Sequence, residues 1–90
     1  MLVAKRFIVR GRVQGVGFRW FVQELAALEN ASGWVTNRED GCVEALVQAE
    51  AEALARIERQ IRRGPPAARV QQVDVMDEPP TDRTGPFVIR

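Results

Sequence analysis

The residues best suited to chemistry lie in one stretch of this 90-residue chain, VRGRVQGVGFRWF at positions 9–21. Gly15 and Gly17 flank a single valine, and Arg19 follows two residues later. Glycine reaches backbone conformations and close approaches that a side chain forbids. Successive N–H groups in such a loop can converge on an anion, and the free N–H groups and dipole of a following helix reinforce the site. Arg19, where that helix would begin, offers a planar fork matched to two phosphate oxygens. The candidate occupants are a phosphate, a nucleic-acid base, or nothing. On the loop alone, a tight turn with a surface arginine competes with the anion site. The third glycine of a dinucleotide fingerprint and the lysine of a P-loop are both missing.

What the composition lacks narrows the chemistry. There is no histidine and no tyrosine, and Cys42 is the sole cysteine. A histidine base, an intrachain disulfide and a cysteine zinc site are therefore excluded, and no metal or cofactor is expected. Carboxylates, amides, guanidinium groups, backbone N–H groups or the substrate itself must act. A net charge of +1 argues against general polyanion binding. The charge is uneven, however, because Lys5, Arg6, Arg10, Arg12 and Arg19 precede the first acid, Glu24. That end favours anions locally, or else Lys5, Arg6, Arg10 and Arg12 form a solvated strand face.

These residues must be positioned by a small fold. The length predicts one domain over 1–90 with a thin core. No apolar run approaches the ~18 residues of a membrane span, and MLVAKRFIVRGR lacks a signal-peptide pattern, so a cytoplasmic protein without membrane contact is expected. Residues 3–13 alternate as a strand, with Val3, Phe7, Val9 and Val13 inward and Arg6, Arg10 and Arg12 outward. Residues 18–29 follow a helical period through Phe21, Leu25 and Leu28, and Asn30 suits a left-handed terminator. Residues 33–49 read as a hairpin turning at Asp40-Gly41, with Glu44 and Gln48 facing out. A second helix spans 50–63 on Leu54, Ile57 and Ile61, with supporting pairs Glu52–Arg56 and Glu58–Arg62, and ends at Gly64-Pro65-Pro66. Residues 68–77 form a strand whose imperfect alternation suits a bulge. A loop follows from Pro79 to Gly85, then a short strand is possible at 86–90.

The order β-α-β-β-α-β, with a possible short fifth strand, predicts an α+β ferredoxin-like sandwich: an antiparallel sheet with two helices on one face. Strands one and two then run parallel, which brings the glycine loop and Asn37 to one rim.

Two segments together resemble a known family. GRVQGVGFR at 11–19 and GWVTNREDGCVEA at 33–45 are similar to the two signatures of the acylphosphatases. The likeness extends over nearly the whole chain, including GPPAARV at 64–70 and the ending Phe87-Val88-Ile89. It implies hydrolysis of an acyl phosphate to a carboxylate and inorganic phosphate. It assigns the phosphoryl group to Arg19 and the backbone of Gly15, Val16, Gly17 and Phe18, and the attacking water to Asn37. Inorganic phosphate or sulfate would then bind as product-like ligands. A metal-free site suits this chemistry, since phosphoryl transfer asks mainly for positioning and charge stabilisation. Two departures stand out: Asn30-Ala31 where Gly-Leu is frequent, and Thr36 where a basic residue is common.

Other readings stay in view. Glu39 and Asp40 read as turn residues, Gln14 as a bond to the loop backbone, and Cys42 as an inert strand cysteine. Phe18, Trp20, Phe21 and Trp34 read as core or rim packing. RNA-recognition domains share the element order, but their glycine-aromatic motif belongs on the third strand, and CVEALVQA has no aromatic. Nucleic acid is therefore not expected as a partner. A ferredoxin-like ligand-binding module without turnover is the remaining alternative. No long exposed apolar helix face demands a partner, so a monomer is expected.

Overall fold

The computed structural model describes residues 1–82 and 85–90. Alternation forms β1 (Leu2–Arg12), whose Phe7 and Val9 enter the core, as does Val13 just beyond it. A helix, α1 (Phe18–Leu28), leads to β2 (Ser32–Asn37) and β3 (Val43–Glu50). A second helix, α2 (Ala51–Arg63), precedes β4 (Arg69–Glu78) and a short β5 (Val88–Ile89). The sheet order is β4-β1-β3-β2-β5. Both helices cover one face, giving the ferredoxin-like α+β sandwich. The sheet is mixed rather than wholly antiparallel, because β5 pairs parallel to β2 through Trp34↔Val88 and Val35↔Ile89. The chain leaves β4 at one edge of the sheet and returns at the other, running alongside β2 in its direction. No helix is long and apolar enough to cross a membrane among the described residues.

Helix α1 buries Phe18, Val22 and Ala26 rather than a stripe centred on Phe21. Leu28 is 82% exposed, because its position on the helix turns away from the row Phe18, Val22 and Ala26 that faces the sheet. The helix stops as expected at Asn30, with φ 55°. Ala31 N–H donates to the Ala26 carbonyl at 2.9 Å, and Asn30 N–H to that of Ala27 at 3.4 Å, satisfying two terminal carbonyls. Helix α2 buries Leu54, Ile57 and Ile61. Its expected Glu52–Arg56 pair does not form. Arg56 reaches Glu29 instead, at 2.7 and 2.8 Å, tying the end of α1 to α2.

The face without helices is less solvated than alternation predicts. Ile8 and Ala4 are buried there. Ile8 lies between Glu44 and Asp74 in register. Long side chains cross it in ion pairs, Arg6–Glu44 at 3.0 Å and Arg10–Asp74 at 3.1 Å. Gln48, expected outside, is 2% exposed. Its amide donates to the Thr81 carbonyl at 2.8 Å and accepts from Thr81 N–H at 2.9 Å, so the chain after β4 is clamped over this face. The bulge in β4 is real. Arg10 faces Gln72 and Gly11 faces Val70, which leaves Gln71 unpaired.

The β2–β3 connection is longer than a two-residue turn. Gly41 N–H closes a turn on the Arg38 carbonyl at 3.2 Å, and Arg38 N–H meets the Cys42 carbonyl at 2.8 Å. Asp40 accepts from Cys42 N–H at 3.1 Å and from the Arg38 guanidinium, and these bonds hold its carboxyl below the usual range. Asp74 is lowered by Gln72 and then Arg10, and Glu29 by Arg56. Burial alone would raise Glu58, but bonds from Arg62 and Lys5 outweigh it and the net shift is downward.

Two outcomes follow for stability. Gly33 has φ 133°, and a Cβ there would collide with the Leu46 carbonyl. Gly33→Ala is expected to lower the urea unfolding free energy by about 3 kcal/mol; a loss under about 0.5 kcal/mol would contradict this geometry. The four carboxyls have folded pKa values below their unfolded ones. The stability they contribute is complete above the unfolded value and is lost as pH falls through the folded one. The urea midpoint is therefore expected to be flat from about pH 7 to 5 and to fall below about pH 4; a rise on acidification would contradict it.

Candidate active site

Strands β1 and β2 run parallel on either side of β3, so their C-terminal ends reach the same rim. Val43 of β3 is the register partner of both Val9 and Asn37. That parity puts Asn37 on the helix-bearing face, where α1 begins. Thr36, paired with Glu44, falls on the other face, and its hydroxyl donates to the Arg90 carbonyl at 3.2 Å.

Helix α1 starts without a side-chain cap and without an acid in its first turn. Its N-cap, Gly17, is left-handed at φ 80°, and Gly15 is left-handed at φ 73°. A Cβ at either would meet nothing within 4 Å, so glycine is required there by conformation and not by space. The first helical bond is from Phe21 N–H to the Gly17 carbonyl, at 3.0 Å. The N–H groups of Phe18, Arg19 and Trp20 therefore have no intrahelical acceptor, and the helix dipole adds positive potential at the same point.

These groups open onto a pocket of about 180 Å³ lined by Val13, Gly15, Gly17, Phe18, Arg19, Trp20, Asn37 and Ile89. Arg19 and Asn37 thus line one cavity, as do Gly15, Gly17 and Phe18. Val16 does not line it; its side chain packs partly buried against the core. Among the described residues Arg19 makes no ion pair, and the Asn37 carboxamide makes no hydrogen bond. The rest of the basic N-terminal segment is mostly neutralised. Lys5 pairs with Glu58, Arg6 with Glu44, and Arg10 with Asp74. Local positive charge is left at Arg12 and Arg19, and only Arg19 faces the pocket.

Several expectations change. Gln14 does not bond the glycine loop. Its amide donates to the carbonyls of Arg38 at 2.7 Å and Cys42 at 3.0 Å, strapping the loop to the turn that follows Asn37. Spacing gives no sign of this contact, because its acceptors are backbone atoms more than twenty residues away. Ile89 joins the pocket only because β5 lies beside β2, which no local pattern encodes. Glu39 is exposed and Asp40 is committed to its turn, so neither lines the pocket. Cys42 is buried just before β3, with the Arg10 guanidinium 3.5 Å from its sulfur. Trp34 is covered by the Arg90 guanidinium at 4.5 Å, and Phe18 packs edge-on to Phe21 at 5.9 Å. Strand β3 carries no aromatic, and its helix-free side is crossed by ion pairs, so the sheet offers no base-stacking platform. No group of three potential metal ligands is present among the described residues.

Comparison with known proteins points one way. The sequence model described as Acylphosphatase matches residues 5–89. The chain is 44% identical to a protein named Acylphosphatase from Koribacter versatilis (strain Ellin345), over 94% of this chain and 77% of that one. It is 49% identical to one of the same name from Acidiphilium cryptum (strain JF-5), over 90% of each. It superposes on the crystal structure of acylphosphatase from Bacillus subtilis with a TM-score of 0.93 and 40% identity, covering 100% of this chain and 99% of that one. With the two signature segments meeting at one rim of the same fold, the chain belongs to the acylphosphatase family.

Proposed function

We propose that this protein hydrolyses acyl phosphates at the pocket between the glycine loop and the end of β2. The observation that carries this reading is the shared cavity: an unpaired guanidinium, an unpaired carboxamide and uncapped helix amides surround one small space. Arg19 and the amides of Gly15 to Phe18 bind the phosphoryl oxygens and stabilise the charge that develops on them. Asn37 cannot take a proton at neutral pH, so it orients the water that attacks phosphorus. The P–O bond to the acyl group breaks, and the carboxylate leaves as a weak base that needs no proton donor. The water's protons end on the phosphate, so R–CO–O–PO3 dianion and water become a carboxylate and dihydrogen phosphate. The alternative, a module that binds without turnover, leaves the free Asn37 carboxamide without a task.

The same reading takes residues 1–90 as one domain acting as a monomer, since all the site groups come from one chain. A free, buried Cys42 suits the reducing cytoplasm. Inorganic phosphate, as product, and sulfate bind in the pocket by the same contacts.

Benzoyl phosphate hydrolysis followed by absorbance tests this proposal. Arg19→Lys is expected to lower kcat/KM about 100-fold, since a point charge cannot replace a two-pronged donor. Asn37→Ala is expected to lower kcat about 100-fold or more while the Kd for inorganic phosphate changes less than about threefold. Wild-type rates in both variants would refute the site. Excess EDTA is expected to leave the rate unchanged; inhibition reversed by a divalent metal would refute the metal-free mechanism.

A further inference from the structure

Among the described residues Trp20 is the only exposed aromatic side chain, at 61% of its surface. It is not a stray surface group, because it lines the same pocket as Arg19 and Asn37. Ile89, 39% exposed, lines that pocket from β5. The sheet register explains why Ile89 is there: it pairs with Val35, whose side chain is buried in the core beneath the helices. Neither side chain is needed to hold a phosphoryl group that Arg19 and the amides already surround.

The pocket's volume, about 180 Å³, is only several times the ~30 Å³ share of one water. The phosphoryl group takes the part of it beside Arg19 and the amides, and Trp20 and Ile89 line the remainder. The acyl half of an acyl phosphate then lies along the side where an indole and an isoleucine are exposed. A charged or strongly hydrated acyl group gains nothing there, whereas an aromatic ring can stack offset on the indole and remove apolar surface from water.

We propose that Trp20, supported by Ile89, is a specificity-determining platform for the acyl half of the substrate. It favours acyl phosphates with aromatic or bulky apolar acyl groups over short ones. This deepens the function proposed above and rests on it.

Binding of unreactive analogues, measured by calorimetry, separates this role from turnover. Phenacylphosphonate and acetonylphosphonate keep the phosphorus and carbonyl groups but cannot be hydrolysed. The wild type is expected to hold the phenacyl compound about tenfold more tightly, the size of one good aromatic contact plus burial. Trp20→Ala should cut that ratio to about twofold, mostly through the phenacyl compound. Trp20→Phe should keep most of it. Leu28→Ala, on the same helix but outside this pocket, should leave the ratio as it was. Equal wild-type affinities, or an unchanged ratio in Trp20→Ala, would overturn the proposal. Loss of the ratio in Trp20→Phe would also overturn it, since the indole N–H and not stacking would then be responsible. Turnover of benzoyl and acetyl phosphate, measured alongside, reports on the parent reading separately. A wild type that binds phenacylphosphonate selectively but hydrolyses neither substrate would refute the proposed hydrolysis and leave the platform standing.

Discussion

A helix that begins without a cap governs this structure. Most helices satisfy their first amides with a serine, threonine or aspartate side chain. Here a left-handed Gly17 stands in that place, with no side chain to accept from them. The unfilled amides and the helix dipole create a demand for negative charge at one point on the surface. The fold supplies no acid to meet that demand, since the first turn of α1 contains none. In the first strand Arg6 and Arg10 are paired with Glu44 and Asp74, and Arg12 does not line the pocket, which leaves Arg19 to add its charge at that point.

Holding Asn37 over those amides is the work of the sheet. Register parity through Val43 places it on the helix side, and the Gln14 strap fixes the loop to the turn that follows it. Asp40 in turn fixes that turn through Cys42 and Arg38, although it takes no direct part in the pocket. The site is thus assembled from rigid neighbours: a helix start, a strand end and a bonded turn. Positioning of this kind is what phosphoryl transfer requires of a protein.

Much of this was legible in the sequence because local rules and the fold agreed. Alternation marked β1, a shift to helical period marked α1 and α2, and Asn30 marked the stop between α1 and β2. The two signature segments point to Arg19 and Asn37, and the fold brings both to one pocket. What stayed hidden depended on contacts between distant residues. Gln48 reads as an outward residue until the chain after β4 folds over it. Arg56 has a good partner four residues away in Glu52, yet a bidentate bond to Glu29 wins. Leu28 continues the helical spacing of Phe21 and Leu25, yet the buried row runs through Ala26. The parallel β5, and with it Ile89 in the pocket, follows from a crossing of the sheet that no short pattern records.

In the proposed mechanism the amides at the start of α1, with Arg19, form an anion site. Nuclear magnetic resonance of isotope-labelled protein titrated with inorganic phosphate tests it most directly. The amide signals of Gly15 to Trp20 and the Arg19 side-chain N–H should move together along one saturable curve, while those around Arg6 and Arg10 stay still. Phosphate that leaves the loop signals in place, or that moves the Arg6 and Arg10 signals instead, would contradict it.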